Sequence, residues 1–316
     1  MRLFLLCISL MVTTLLTQAQ PAAKFRFFKS SDTLQPARFR TVCIGQAAIW
    51  GSSMYVLNKS WYANYPRSRF HLFNDFGEWN QIDKVGHAWS AYFGAQLSAG
   101  LFRWSGVSQQ RAALYGAGMG IAYESVIEIL DGFSQEWGFS LGDMAANTSG
   151  SLLFALQEMA WKEQRIQFKF SFHRIQYDDP ELHAKANQLY GTTLAQRGLK
   201  DYNGQAYWLS VSPASFAPRS KFPAWLNMAV GYGAGGLFGG YDNDWIDSKT
   251  GIRHNRSDVA RYRQFFLAPD IDLSKVKIKG RTPRIFKMLN GLKLKFPLPT
   301  LEWNTKGQWI FHPIYF

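Results

Sequence analysis

Three stretches between Asp83 and Gly150 carry ionisable or small residues at one recurring interval. Asp83, His87 and Ser90 stand at i, i+4 and i+7, as do Glu124, Glu128 and Asp131, and again Asp143, Asn147 and Gly150. On a helix that spacing stacks each set along one face. A carboxylate and imidazole set of this kind, with Lys84 beside it, can hold zinc, manganese or iron if it is dry and close, or calcium or magnesium through its oxygens alone. It can also move protons, with His87 as general base or metal ligand and Asp83 or Glu124 orienting the ring. Ser140 directly precedes a helical stretch with Asp143 three residues on, and reads as a cap rather than a nucleophile. The Glu-x-x-His signature of di-metal bundles is not matched, because Asp83 and His87 are four apart. An H-E-x-x-H pair and a phosphate loop are also lacking.

Four helices must position these groups. Thr41 to Leu57 is nearly free of charge, and further helical stretches run from Ile82 to about Trp104, Arg111 to Leu130 and Ser140 to about Trp161. The polar sets open the second helix, close the third and open the fourth, so an up-down-up bundle with short connections brings them to one end. Gly116 to Gly120 (G-A-G-M-G) provides the small residues that let such helices approach closely. The gathered site would be strongly negative, with Lys84 and His87 as its local cations. Glu128 and Asp131 near a helix C-terminus are disfavoured by the macrodipole, so solvent, Lys84, proton uptake or a bound cation must offset them. The plain alternative is a satisfied hydrogen-bond network, with Asp83 capping a helix, His87 donating to Glu124 and Asn147 bridging helices.

The chain has 316 residues, 47% apolar, with 35 Lys and Arg against 22 Asp and Glu, a net charge of +13. That length supports one large domain or two ordinary ones. Met1-Arg2, the apolar run Leu3 to Leu16 and Thr17-Gln18-Ala19 read as a cleaved export signal over residues 1–19, with an uncleaved anchor as the rival reading; either argues against nucleic acid as a partner. Cys7 falls inside that run, and Cys43, in an apolar stretch, reads as a small buried hydrophobe. The connection carrying Tyr62, Tyr65 and Trp79 offers rings for a lipid headgroup layer or for ordinary loop packing.

After Trp161 the period changes. R-I-Q-F-K-F-S-F-H alternates, with Ile166, Phe168, Phe170 and Phe172 on one face and Gln167, Lys169 and Ser171 on the other, as a half-exposed strand does. A short helix follows Pro180, and extended runs follow near Tyr207, in the glycine-rich Trp225 to Gly240, and over Arg261 to Asp272, Leu292 to Phe296 and Gln308 to Phe316. The fold class is therefore α+β: a membrane-associated antiparallel four-helix bundle over 41–164, then a β-rich aromatic domain over 165–316. Either a small outer-membrane-type sheet or barrel or a periplasmic domain would fit the second half; Pro297, Pro299 and Pro313 interrupt its last candidate strands.

The motifs D-K-x-x-H at Asp83 to His87, Glu124 with Asp131-Gly132, and S-x-x-D-x-x-x-N-x-x-G from Ser140 to Gly150 resemble the YfiM-like predicted periplasmic lipoproteins, a domain family of unknown function numbered 2279. More distantly they resemble VanZ-like membrane proteins. The resemblance covers about residues 80 to 160 and implies a periplasmic or outer-membrane envelope location, with the inner membrane as the alternative, and a polar-lined helical bundle. It supplies no substrate, and the family's lipoprotein cysteine has no counterpart here. The expected function is an envelope protein whose cluster of Asp83, Lys84, His87, Glu124, Glu128, Asp131, Ser140, Asp143 and Asn147 binds a divalent metal or a lipid or glycan headgroup. The enzymatic alternative is hydrolysis or group transfer on an envelope lipid or cell-wall precursor; a purely structural envelope protein is the third. A membrane lipid or other envelope component is the expected partner.

Overall fold

The computed structural model describes residues 29–62, 65–217, 219, 221–247 and 250–316. The expected export signal, with Cys7, lies outside them. Four long helices come first: α1 (Pro36–Leu57), α2 (Ile82–Trp104), α3 (Gln109–Asp131) and α4 (Leu141–Ala160). The last three pack on one another around Ile82, Tyr92, Ala95, Ala99, Ala117 and Phe154. Their seams are made of small residues. A methyl group added at Gly150 of α4 would sit 1.8 Å from the Ala88 carbonyl of α2, and one at Gly116 of α3 would sit 2.3 Å from that of Ala95. Both distances are far inside van der Waals contact, so the helices touch backbone to backbone there. Gly150→Ala is expected to cost about 3 kcal/mol or more by forcing α2 and α4 apart. Gly118→Ala, where the added methyl meets open space, should be neutral or gain up to about 1 kcal/mol of helix propensity. Thermal unfolding of the two variants compares them directly.

α1 lies at the margin of this bundle, so only three of the expected four helices share the central packing. Of its residues only Val42 and Gln46 are buried, and Trp50 and Ser53 meet Tyr123 of α3. Cys43, expected as a buried hydrophobe, is an exposed free thiol, because a marginal helix buries just one narrow stripe. No described helix is long and apolar enough to cross a membrane, since each of the packed three gives up part of its length to polar groups.

The second half is a six-stranded antiparallel sheet. Its strands are β1 (Ile166–Phe172), β2 (Gln205–Val211), β3 (Leu226–Gly235), β6 (Tyr262–Ile271), β7 (Leu298–Asn304) and β8 (Trp309–Tyr315), paired in that order. Two short strands, β4 (Asp244–Ile246) and β5 (Arg253–Asn255), pair separately. The helices α5 (Pro180–Tyr190), α6 (Leu194–Lys200), α7 (Pro213–Phe216) and α8 (Arg284–Gly291) fill the connections. Asn203-Gly204 lies in a 3-10 turn leading into β2. β1 and β8 are the sheet's two edges, so the barrel, one of the alternatives for this half, is not formed and the sheet is open. It is nonetheless strongly curled. Lys169 of β1 lies 2.6 Å from Asp270 of β6, three strands away, a gap of about 14 Å on a flat sheet at the usual strand spacing. Trp208 of β2 packs edge to face with Tyr315 of β8, ring centroids 5.8 Å apart.

Two expectations for this half change. Pro299 and Pro313 do not end strands but lie inside β7 and β8, where the register steps from Thr300 opposite His312 to Leu298 opposite Tyr315. A bulge at that step needs no ladder hydrogen bond from either proline. The alternation of β1 is present, yet its polar side is the deeply buried one: Gln167, Lys169 and Ser171 are all at most 2% exposed. Curling places that side on the concave face.

Candidate functional site

α2 and α4 begin, and α3 ends, at one end of the bundle, which brings the three polar sets together. The entry of α2 is strained. Trp79, Asn80 and Gln81 have φ of 51°, 52° and 61°, three consecutive non-glycine residues in the left-handed region, each costing about 1–2 kcal/mol. Groups from the second half hold them there. The Trp79 amide donates to the Gly240 carbonyl at 2.6 Å, the Tyr232 hydroxyl donates to the Asn80 carbonyl, and Arg263 donates to the Gln81 side chain. The sheet and its loops thus set where α2 starts, and with it Asp83 and Lys84.

Lys84 is the centre of one half of the cluster. Its ammonium lies 2.7 Å from Asp75, 2.9 Å from Asp83 and 2.9 Å from Asp143, and none of these side chains is more than 13% exposed. Burial works against the charge on Lys84, but Asp83, Asp143 and Asp75 outweigh it and raise its pKa. The triad of Asp75, Asp83 and Asp143 has the spacing of a metal site, and a cation from the chain itself already lies among its oxygens.

His87 is the centre of the other half. Its Nδ1 is 3.2 Å from the Asn147 amide oxygen and 3.8 Å from both Glu124 and Glu128, and its Nε2 is 3.8 Å from Asp143. His87 does not donate to Glu124, as the network reading expects; Ser90 does, at 2.7 Å. Ser140 caps α4, accepting from the Asp143 amide at 3.0 Å while its hydroxyl donates to Asp75 at 2.6 Å. The return half of a capping box is missing. The Ser140 amide donates instead to Glu128, at 3.2 Å, which leaves the Asp143 carboxylate free to face Lys84 and His87. Asp131 turns aside and accepts from the Tyr62 hydroxyl at 2.7 Å.

Burial pushes Glu128 up to about 8 and Asp143 and Asp131 up to about 6, and it raises Glu124 as well. For His87, burial opposes the charged form, but Asp143, Glu124, Glu128 and Asp83 prevail and its pKa is raised. The Oε1 atom of Glu128 is buried without a hydrogen-bond partner, as is the Asn147 amide nitrogen. Buried polar atoms are seldom left so.

Asp75 and Tyr62 take part and carry no periodic signal, since one sits in a loop and the other at the end of a helix. Another signal was available in the chain. Ser140 is the middle of G-F-S-L-G, Gly138 to Gly142, the spacing of a nucleophile elbow. The geometry makes it a cap: its φ of −96° is unstrained, the residue is 1% exposed, and its hydroxyl donates to a carboxylate.

Fold and cluster together define a class: a helical bundle closed at one end by a buried carboxylate and histidine centre, joined to a curled antiparallel sheet. Residues 72–159 match the family described as Predicted periplasmic lipoprotein (DUF2279). That span opens just before Asp75 and ends within α4, so it holds every group of the cluster except Tyr62. No curated protein and no solved structure is matched by the chain.

Proposed function

We propose that this protein works in the cell envelope and holds a divalent transition cation, such as zinc or manganese, between His87, Glu128 and Asp143. The observation that carries the reading is the buried, unpartnered Glu128 Oε1, 3.8 Å from His87 Nδ1. One ring nitrogen of His87 and one oxygen each of Glu128 and Asp143 lie within 4.8 Å of one another. Metal–ligand bonds of about 2.0–2.2 Å draw such atoms only slightly closer. A cation there would also offset carboxylates that Lys84 does not reach. The envelope location rests on the family description. A small ion suits the site better than a lipid or glycan headgroup, because His87 is its most open side chain at 24%, and Glu124, Glu128 and Asp143 are each under a tenth exposed.

Calorimetric titration of the purified chain with zinc and manganese chloride at pH 8 tests this. One site per chain is expected, with affinity reduced at least tenfold in Glu128→Gln and in His87→Ala. Equal binding by both variants and wild type would sink the reading. Affinity should also fall as pH drops from 8 to 6, because protons on Glu128 and then Asp143 compete with the ion. A flat profile over that range contradicts the assignment of ligands.

A further inference from the structure

The sheet has its polarity reversed. An antiparallel sheet in water normally turns its apolar side to the core, whereas here Lys169, Ser210, Asn227, Asp270, Glu302 and Asn304 are buried on the concave side. The convex side carries two continuous rows. Leu209, Val230, Leu267, Leu301 and Phe311 are register partners in succession across β2, β3, β6, β7 and β8, each 37% to 66% exposed. Beside them runs an aromatic row through all six strands: Phe170, Tyr207, Tyr232, Phe265, Trp303 and Trp309. The bundle covers the β1 and β2 end of this face and reaches β3, where Phe168, Tyr207 and Ala234 join its core and Tyr232 packs against it; the rows over β6, β7 and β8 stay open, with Phe265, Trp303 and Trp309 38% to 68% exposed.

The pattern continues past the sheet's edge. Leu294 bridges to Phe170, and along 293–296 the lysines are buried while Leu294 and Phe296 are exposed. Just upstream, α8 and its cap present Ile285, Met288, Leu289 and Leu292 to solvent, at i, i+3, i+4 and i+7. Exposed Lys277, Lys279, Arg281, Arg284 and Lys287 lie along the same segment, and no acidic residue occurs from 273 to 301. An apolar stripe flanked by bases is the composition of a helix that lies in a lipid interface. An aliphatic row beside an aromatic row is that of a sheet surface facing lipid, the rings lying at headgroup depth.

We infer that the convex face of the sheet and the stripe of α8 rest in one leaflet of an anionic lipid surface, acyl chains against the aliphatic row and headgroups against the 277–287 bases. A second copy of this chain could cover the apolar rows, but it carries the same positive charge and leaves those bases unneutralised; anionic lipid satisfies both. The inference involves none of the groups of the His87 site, so either can fail alone.

The test is flotation of the purified full chain with vesicles of phosphatidylcholine and phosphatidylglycerol at 3:1, against phosphatidylcholine alone. Wild type is expected to float with the anionic vesicles, with its tryptophan fluorescence quenched when the acyl chains are brominated. The double variant Leu267→Asp, Leu301→Asp is expected to bind at least tenfold more weakly with an unchanged circular dichroism spectrum, since both side chains already point outward. Should it fail to fold, the set K277Q, K279Q, R281Q, R284Q and K287Q decides: it should lose the preference for phosphatidylglycerol. Wild type remaining unbound, Leu267→Asp, Leu301→Asp floating like wild type, or a dimer that this variant dissociates without any vesicle binding, each overturns the inference.

Discussion

Lys84→Met is expected to destabilise the protein by about 3–5 kcal/mol at pH 7.5, the range for removing one partner of a buried ion pair. Three carboxylates, on Asp75, Asp83 and Asp143, each have an oxygen within 2.9 Å of the ammonium, in surroundings nearly closed to water. Methionine keeps most of the volume but removes the charge and the donors, so three acids face one another with only His87 to balance them. Acid should rescue the variant. Asp143, already raised to about 6, and Asp83, raised by burial, take up protons as pH falls and relieve the repulsion, so the urea midpoint of Lys84→Met should approach that of wild type in acid. A loss under about 1 kcal/mol, the value of an exposed pair, would mean that water reaches the centre and that Lys84 does not organise it.

Glu128→Gln is expected to act in two opposite directions. Glu128 is raised from 4.5 to about 8 in the fold, chiefly by burial. A raised carboxyl pKa favours folding fully below the unfolded value of 4.5, and that contribution is lost as pH climbs through about 8. The metal-free wild type should therefore weaken steadily from pH 5 to 8, with Asp131 and Asp143, both near 6, adding to the slope over its lower part. Glutamine imitates the protonated acid and can still accept from the Ser140 amide. At pH 8 the metal-free variant should be more stable than wild type, by on the order of 2–4 kcal/mol at about 1.4 kcal/mol per pKa unit. Added zinc or manganese should raise the melting temperature of wild type and leave that of Glu128→Gln nearly unchanged. A merely structural Glu128 predicts the reverse at pH 8 and no ion effect in either protein.

Much of the bundle is legible in local pattern. Ile82 and Trp104 bound α2 as the periodicity reads, Ser140 caps α4, and the glycines at 116, 120 and 150 fall where helix backbones meet. The interval i, i+4, i+7 puts His87, Glu124, Glu128, Asp143 and Asn147 on facing stripes. Asp75 is invisible to that reasoning because loop residues have no period, and its carboxylate reaches Lys84 only through the path of the loop. Pro299 and Pro313 misled for a similar reason: whether a proline ends a strand depends on whether its partner strand accommodates a bulge. Cys43 misled because apolar neighbours in sequence do not state how closely a helix is packed.

The amino-acid order determined the helices, their caps, the alternation of the strands and the supply of acids and one histidine, since each depends on contacts within a turn or two of chain. Only the tertiary structure decided that Lys84 fills one acidic triad and that the Oε1 atom of Glu128 is left unpartnered beside His87, and that the polar side of the sheet turns inward. Those outcomes depend on where segments distant in the chain come to rest, and on the sign of the sheet's curvature. A repeat of two residues specifies two faces but not which one is concave.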